Sequence, residues 1–255
     1  MRIIISPAKK MAPDTDSLEH RNLPSFLEET GKLLQYLRSL SYEELKKFWK
    51  CSDKIAKENY NRIENMNLTR RLTPAILAYE GIQYQYMAPG VFDNEELEYL
   101  EEHLRILSGF YGILRPFDGV VPYRLEMASI LKDFETTTLY EYWGGKLAKS
   151  LFSESDCIVN LASKEYSKSI TPYMNDSVRM VTCVFGEWEK NKVIEKAARV
   201  KMARGEMVRF MAEEKVEDVE AIKNFRYLDY RFAKNLSDEE TYIFIQKSSL
   251  KEDDF

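Results

Sequence analysis

A chain of 255 residues that is 44% hydrophobic and 31% charged is long enough to bury a sizeable core and too apolar to stay disordered. Its formal net charge of −5 and pI of about 5.4 exclude a generic polyanion binder, so contact with nucleic acid requires a local basic patch on an acidic background. Cys51, Cys157 and Cys183 are widely spaced and odd in number, which excludes a disulfide framework and a Cys-x-x-Cys metal site and points to a reducing cytoplasm; no apolar run reaches the ~18 residues of a membrane span.

In chain order, Arg2 to Ile5 is a short β-branched run closed by Ser6-Pro7, a buried first strand ending in a loop. Helical spacing follows over about 24–40 and 42–66, the second opened by Ser41 as N-cap with Glu44 three residues on. Asp93 and Glu96 repeat that arrangement ahead of Leu97, Leu100, Leu104 and Leu107, which predicts one helix running to a stop at Gly109. Thr138 with Glu141 opens another through Leu151, and Cys157 to Leu161 suits a buried strand. The runs 178–185 and 192–195 pair as a hairpin across Lys190-Asn191, and a helix over about 196–214 follows. Strands at 230–232 and 241–246 flank a polar loop. With no strict βαβ period, repeat or low-complexity linker, the reading is α+β (mixed α/β), a single compact domain over 1–255.

The densest stretch runs from His103 to Met127. It turns on Gly109 and Gly112 and then places Arg115, Asp118, Tyr123, Arg124 and Glu126 in a segment rich in proline and glycine, the kind of loop that presents side chains from a fixed scaffold. Arginine forks suit carboxylate or phosphate, while an Arg–Glu pair that ties a loop together is the alternative; Tyr123 either stacks on a base or covers core. Ser6-Pro7-Ala8-Lys9 lies just past the first strand, where α/β-type folds place ligands. Asn160, Ser163, Lys164 and Tyr166 follow another strand end. Ser163, Tyr166 and Lys168 lack the spacing, and the chain lacks the glycine-rich fingerprint, of a short-chain reductase.

On the helix near 200, Val200, Ala203, Met207, Phe210 and Met211 form one apolar stripe, with Lys201 and Arg209 opposite and Arg204 at its edge. Gly205 costs roughly 1 kcal/mol relative to alanine. Either a ligand or a neighbouring element therefore approaches there. Lys46, Lys47, Lys50, Lys54 and Lys57 make 42–63 locally basic around a turn at Cys51-Ser52-Asp53; two helices with a solvated lysine face are the simplest account.

Several chemistries drop out. His20 and His103 cannot make a multi-histidine metal site, and there is no nucleophile elbow, no Walker sequence and no Glu-x-x-His. No catalytic signature and no cofactor fingerprint is found.

Taken together, the blocks Ile5-Ser6-Pro7-Ala8-Lys9, Ser52-Asp53-Lys54, His103 to Met127, Leu139-Tyr140 with Trp143-Gly144, Asn160-Leu161-Ala162-Ser163 with Glu165-Tyr166, and Lys201 with Ala203-Arg204-Gly205 resemble the YaaA family. The match departs from the family pattern at Ile82, Tyr86 and Lys164. The resemblance implies a cytoplasmic protein of the peroxide stress response that limits damage linked to free intracellular iron. It also implies a fold of unusual topology with a basic cleft and a helix-hairpin-helix-like element that bind DNA, duplex or branched, with little sequence preference. On that expectation Lys9, Lys54, Arg115, Arg124, Lys201, Arg204, Gly205 and Arg209 meet phosphates. Ser6, Tyr123, Glu126, Asn160, Ser163 and Tyr166 support the cleft. The alternative is an enzyme acting on a small anionic or nucleotide-like substrate there, with Lys9, Glu126 and Lys201 as acid–base groups. No metal, cofactor or membrane partner is expected.

Overall fold

The computed structural model describes residues 1–247. The first strand, β1 (Arg2–Ile5), carries three consecutive isoleucines that are fully buried, as a strand covered on both faces requires. A short strand β2 (Lys10–Met11) leads to helix α1 (Leu27–Ser39). The region 42–66 is two helices, α2 (Tyr42–Trp49) and α3 (Asp53–Asn65), parted at the Cys51-Ser52 turn, as the helical pair read from its sequence implies. Lys50 adopts a left-handed backbone (φ 45°) and ends α2; Tyr42 and Lys46 both reach the Asp53 carboxylate at 2.8 Å, which closes the hairpin.

Strand β3 (Thr73–Pro74), helix α4 (Ala75–Ala78), strand β4 (Tyr79–Glu80) and helix α5 (Ile82–Met87) follow in close succession. Helix α6 (Asn94–His103) stops earlier than its leucine spacing suggests. The next five residues form strand β5 (Leu104–Ser108), buried along its whole length, and then come β6 (Gly112–Leu114) and β7 (Gly119–Val120). The expected helix over 138–151 breaks at Gly144 into α7 (Leu139–Trp143) and α8 (Lys146–Glu154). Strand β8 (Cys157–Leu161), helix α9 (Lys164–Ser167), the hairpin β9 (Arg179–Glu189) and β10 (Lys192–Ile194), helix α10 (Ala197–Glu213), and strands β11 (Tyr230–Phe232) and β12 (Thr241–Gln246) follow among the described residues.

Among the described residues eight strands make one sheet in the order β11-β12-β9-β8-β1-β5-β6, with β10 pairing β9. Its five inner strands are parallel, and β6, β10 and β11 join antiparallel. Helices and sheet enclose one continuous apolar cluster that runs from Ile3 to Phe244. The α+β class read from the sequence is the class observed. The parallel centre has a functional consequence, because β1, β5 and β8 all end on the same side. Ser6, Ser108 and Leu161 therefore stand at one pole of the sheet and Arg2 and Arg105 at the other.

Candidate functional site

At the carboxyl pole the ends of β1 and β8 are stitched together. The Ser163 amide donates to Ser6 Oγ (2.9 Å), and the Ser6 hydroxyl donates to Ser163 Oγ (3.2 Å). Asn160 is buried and internal: its Oδ1 accepts from the Ala162 amide and its Nδ2 donates to Thr182 Oγ1. Tyr84 donates to the Ser6 carbonyl (3.1 Å) from α5. Behind this seam lies a phenol cluster. The Tyr123 hydroxyl sits 2.6 Å from Ser108 Oγ and 2.9 Å from the Tyr79 hydroxyl, with Phe110 stacked on its ring. Burial pushes the Tyr123 phenol up to about 12, and Tyr79, Tyr84 and Tyr166 well above their ordinary value. Tyr123 therefore covers core instead of offering a stacking face.

The phenol cluster fixes the segment in front of it. Gly109 lets the strand end touch the backbone of that segment, since a Cβ there would stand 2.7 Å from the Leu125 carbonyl oxygen. Trp49 Nε1 donates to the Arg124 carbonyl from the far side (2.7 Å). Held between β5 and α2, Arg124 and Glu126 turn toward a cavity of about 640 Å³. Its floor and walls are Tyr36 of α1 and Leu40 just after it, the end of α2 with Phe48 and Trp49, and the loop from Ala128 to Asp133. Five cations (Lys9, Lys47, Lys50, Arg124 and Lys132) line it against three carboxylates (Glu44, Glu126 and Asp133).

Two of those carboxylates are already engaged. Glu44 accepts from the Ser41 amide and hydroxyl in the α2 capping box, which holds its carboxyl below the usual range. Glu126 meets Lys9 Nζ at 2.6 Å and Arg124 Nη2 at 3.7 Å. Arg124 keeps one donor in reserve: its Nε is buried and has no hydrogen-bond partner among the described residues. A buried donor without an acceptor is costly, on the order of 1–3 kcal/mol, and such a group at a cavity wall is suited to an incoming anion.

The remaining sequence-named residues are scattered. Arg115 follows the antiparallel β6 back to the amino pole, where it lines a second cavity of about 470 Å³ with Arg2, Arg105 and several glutamates. Lys54 and Lys201 are exposed on α3 and α10 and do not line the recess. Arg209 pairs with Glu213 at 2.8 Å. Arg204 is sheltered, as its place at the stripe's edge implies. Desolvation holds its pKa below the usual guanidinium value, and its Nε also has no partner among the described residues. Gly205 faces α5: a Cβ there would stand 2.2 Å from the Gln83 carbonyl oxygen and 3.0 Å from Tyr86 Cβ. The close approach at this glycine is therefore made by a helix. Tyr86 packs at that contact, Ile82 opens α5, and Lys164 is exposed on α9. Tyr166 is buried beneath the Met127 backbone. His103 is a core residue, its Nδ1–H donating to the Met1 carbonyl (3.0 Å) and its ring stacked on Tyr99.

Sequence reasoning did not find Tyr36, Trp49 and Lys132 as parts of the site. Lys47 and Lys50 were legible only as members of a basic helical stretch. Lys47 lies in the last turn of α2 and Lys50 just past its end, where the left-handed backbone turns the chain.

These features define an α+β protein with a recess lined by charged and aromatic side chains between α2 and the Arg124–Glu126 segment. The chain belongs to the family described as "Peroxide stress protein YaaA", whose pattern matches residues 1–236. It is 55% identical over 249 residues to a UPF0246 protein of Lachnoclostridium phytofermentans, with 98% of each chain covered. It is 54% identical to one of Desulfitobacterium hafniense over 98% of this chain and 100% of the relative, and 50% identical to one of Pediococcus pentosaceus over 96% and 98%.

Proposed function

We propose that this protein serves the peroxide stress response in the cytoplasm by holding DNA at the recess between α2 and the Arg124–Glu126 segment. In this reading it shields DNA from damage linked to free iron and does not itself capture the metal. The observation that carries the proposal is the gathering of Lys9, Lys47, Lys50, Lys132 and the unpartnered Arg124 Nε around one cavity of a protein whose net charge is −5. Phosphate is the anion that such a set fits best. Arginine supplies a directed fork, and the lysines supply point charges that adapt to a backbone of any sequence. Lys54 on α3 adds a contact from the second helix of the hairpin. Among the described residues no group of three or more His, Cys, Asp or Glu side chains could hold a metal ion.

The test is fluorescence anisotropy with labelled duplex and branched DNA across a salt series, together with peroxide survival of cells that carry wild type or Arg124→Gln as their only copy. Salt-dependent binding that weakens at least tenfold in Arg124→Gln, with survival lost in parallel, is the expected result. Absence of binding at low salt overturns the reading.

A further inference from the structure

We infer that the cavity at the amino pole binds a free α-amino acid with a cationic side chain, of which lysine is the type. The site is separate from the recess described above, because the two cavities share no lining residue.

The cavity holds about 470 Å³, within the roughly 300–1,000 Å³ of small-molecule sites. Many of its charges already have partners in the fold. Arg2 and Arg105 both donate to Glu154 (3.0 and 2.9 Å), so neither is free for a ligand. Lys215 is paired with Glu95, and Glu98 with Arg21 (2.9 Å). What is left decides the ligand. Arg115 is exposed, and its guanidinium makes no hydrogen bond or ion pair among the described residues. Against it stand three carboxylates, two of them on the last turn of α6. Glu101 is partly buried beside Arg115; among the described residues its carboxylate accepts only the Phe117 amide (3.1 Å), and desolvation raises its pKa. Glu102 and Glu217 converge on His103 Nε2 at 3.9 and 3.3 Å. The His103 side chain is 3% exposed, and its Nδ1–H is committed to the Met1 carbonyl. In the neutral ring Nε2 is therefore an acceptor. Three acceptors then meet with no donor among them, which is costly for a buried group and is satisfied by an ammonium with its three N–H bonds. A free fork at one side and an acceptor corner at the other match a dipolar ligand. Arginine's fork takes a carboxylate by two parallel bonds. The α-ammonium, on the carbon next to that carboxylate, meets Glu101, and the side-chain ammonium of lysine reaches the His103 corner on its flexible stem. Phosphate would face three repelling carboxylates, and a diamine would leave Arg115 facing a cation.

The experiment is titration calorimetry of the full chain with L-lysine, with norleucine, which lacks the side-chain ammonium, and with cadaverine, which lacks the carboxylate. Lysine is expected to bind saturably, and each analogue at least tenfold more weakly, a difference of 1.4 kcal/mol. Arg115→Gln and Glu217→Gln change exposed side chains, so folding is not at issue. The first should weaken lysine about tenfold and leave cadaverine as it was; the second should weaken lysine and leave norleucine as it was. The imidazole nitrogen shifts of His103 give a second readout: a neutral ring in the ligand-free protein at neutral pH, whose Nε2 signal moves as lysine is added. No saturable heat at millimolar lysine overturns the inference. So does cadaverine binding as tightly as lysine, since Arg115 then holds no carboxylate, and so does lysine affinity that neither variant changes. A His103 ring already doubly protonated in the ligand-free protein also overturns it, because that ring supplies the missing donor to Glu217 itself.

Discussion

Two residues carry sign tests that simple propensity gets wrong. Glycine to alanine inside a helix ordinarily stabilises by up to about 1 kcal/mol. Gly31 on α1 has nothing within 4 Å of the place a methyl would take, so Gly31→Ala is expected to raise the urea midpoint. Gly205→Ala places a methyl against the Gln83 carbonyl and is expected to destabilise by about 1–3 kcal/mol as α5 and α10 are forced apart. Equal effects of the two changes would show that this helix contact is not tight. Asp118 is the second case. It is buried at the amino pole, and its Oδ2 accepts from the Arg115 amide (2.8 Å), yet desolvation raises its pKa to about 6. Because the folded protein holds that proton more tightly than the unfolded chain, the associated stability is complete below about 3.8 and is lost as pH rises through about 6. Asp118→Asn keeps an acceptor for Arg115 and removes the titration. Urea unfolding at pH 4 to 8 should show the variant gaining on wild type by on the order of 2 kcal/mol across that window.

At the scale of elements, the parts of the fold with local chemistry were legible. The Ser41–Glu44, Asp93–Glu96 and Thr138–Glu141 boxes are all present, each with its reciprocal side-chain and backbone bonds. Ser41→Ala is therefore expected to cost about 1 kcal/mol. Because α2 bears Lys47 and Phe48, the loss should appear in hydrogen exchange as easier opening of α2 in particular. Uniform loss of protection across the sheet would mean that α2 does not open on its own. The error lay at β5. Leu97, Leu100, Leu104 and Leu107 keep helical spacing straight through the junction, and a strand buried on both faces has no period of its own to oppose it. Arg105 lies within that strand. In the fold that arginine is buried and its Nε donates to Glu154 Oε2 at 2.9 Å, a partner 49 residues away. The recess was hidden for the same reason. Lys9, Arg124 and Glu126 stood out through local density, but Trp49 reaches Arg124 across 75 positions, and no local pattern records such a meeting.

At the scale of the whole molecule the two cavities differ in charge, and the proposed DNA reading assigns the polyanion to one of them. The amino-pole cavity sets Arg2, Arg105, Arg115 and Lys215 against Glu98, Glu101, Glu102 and Glu217, and Glu154 further neutralises Arg2 and Arg105. It offers a phosphate no net attraction. At the carboxyl pole the recess sets five cations against three carboxylates, of which Glu126 pairs with Lys9 and Arg124, so that Lys47, Lys50 and Lys132 carry the excess. DNA should therefore approach one end of the sheet only, with the acidic remainder of the surface repelling other orientations. Removing cations from each pole tests this directly. Lys47→Ala with Lys50→Ala should flatten the plot of log affinity against log salt by about 2, because each phosphate contact contributes roughly 0.9 to the slope. Arg115→Ala with Lys215→Ala removes the same formal charge from the other pole and should leave the slope where it was. If both pairs shift the slope alike, the attraction depends on total charge and not on the recess, and the polar arrangement has no part in binding.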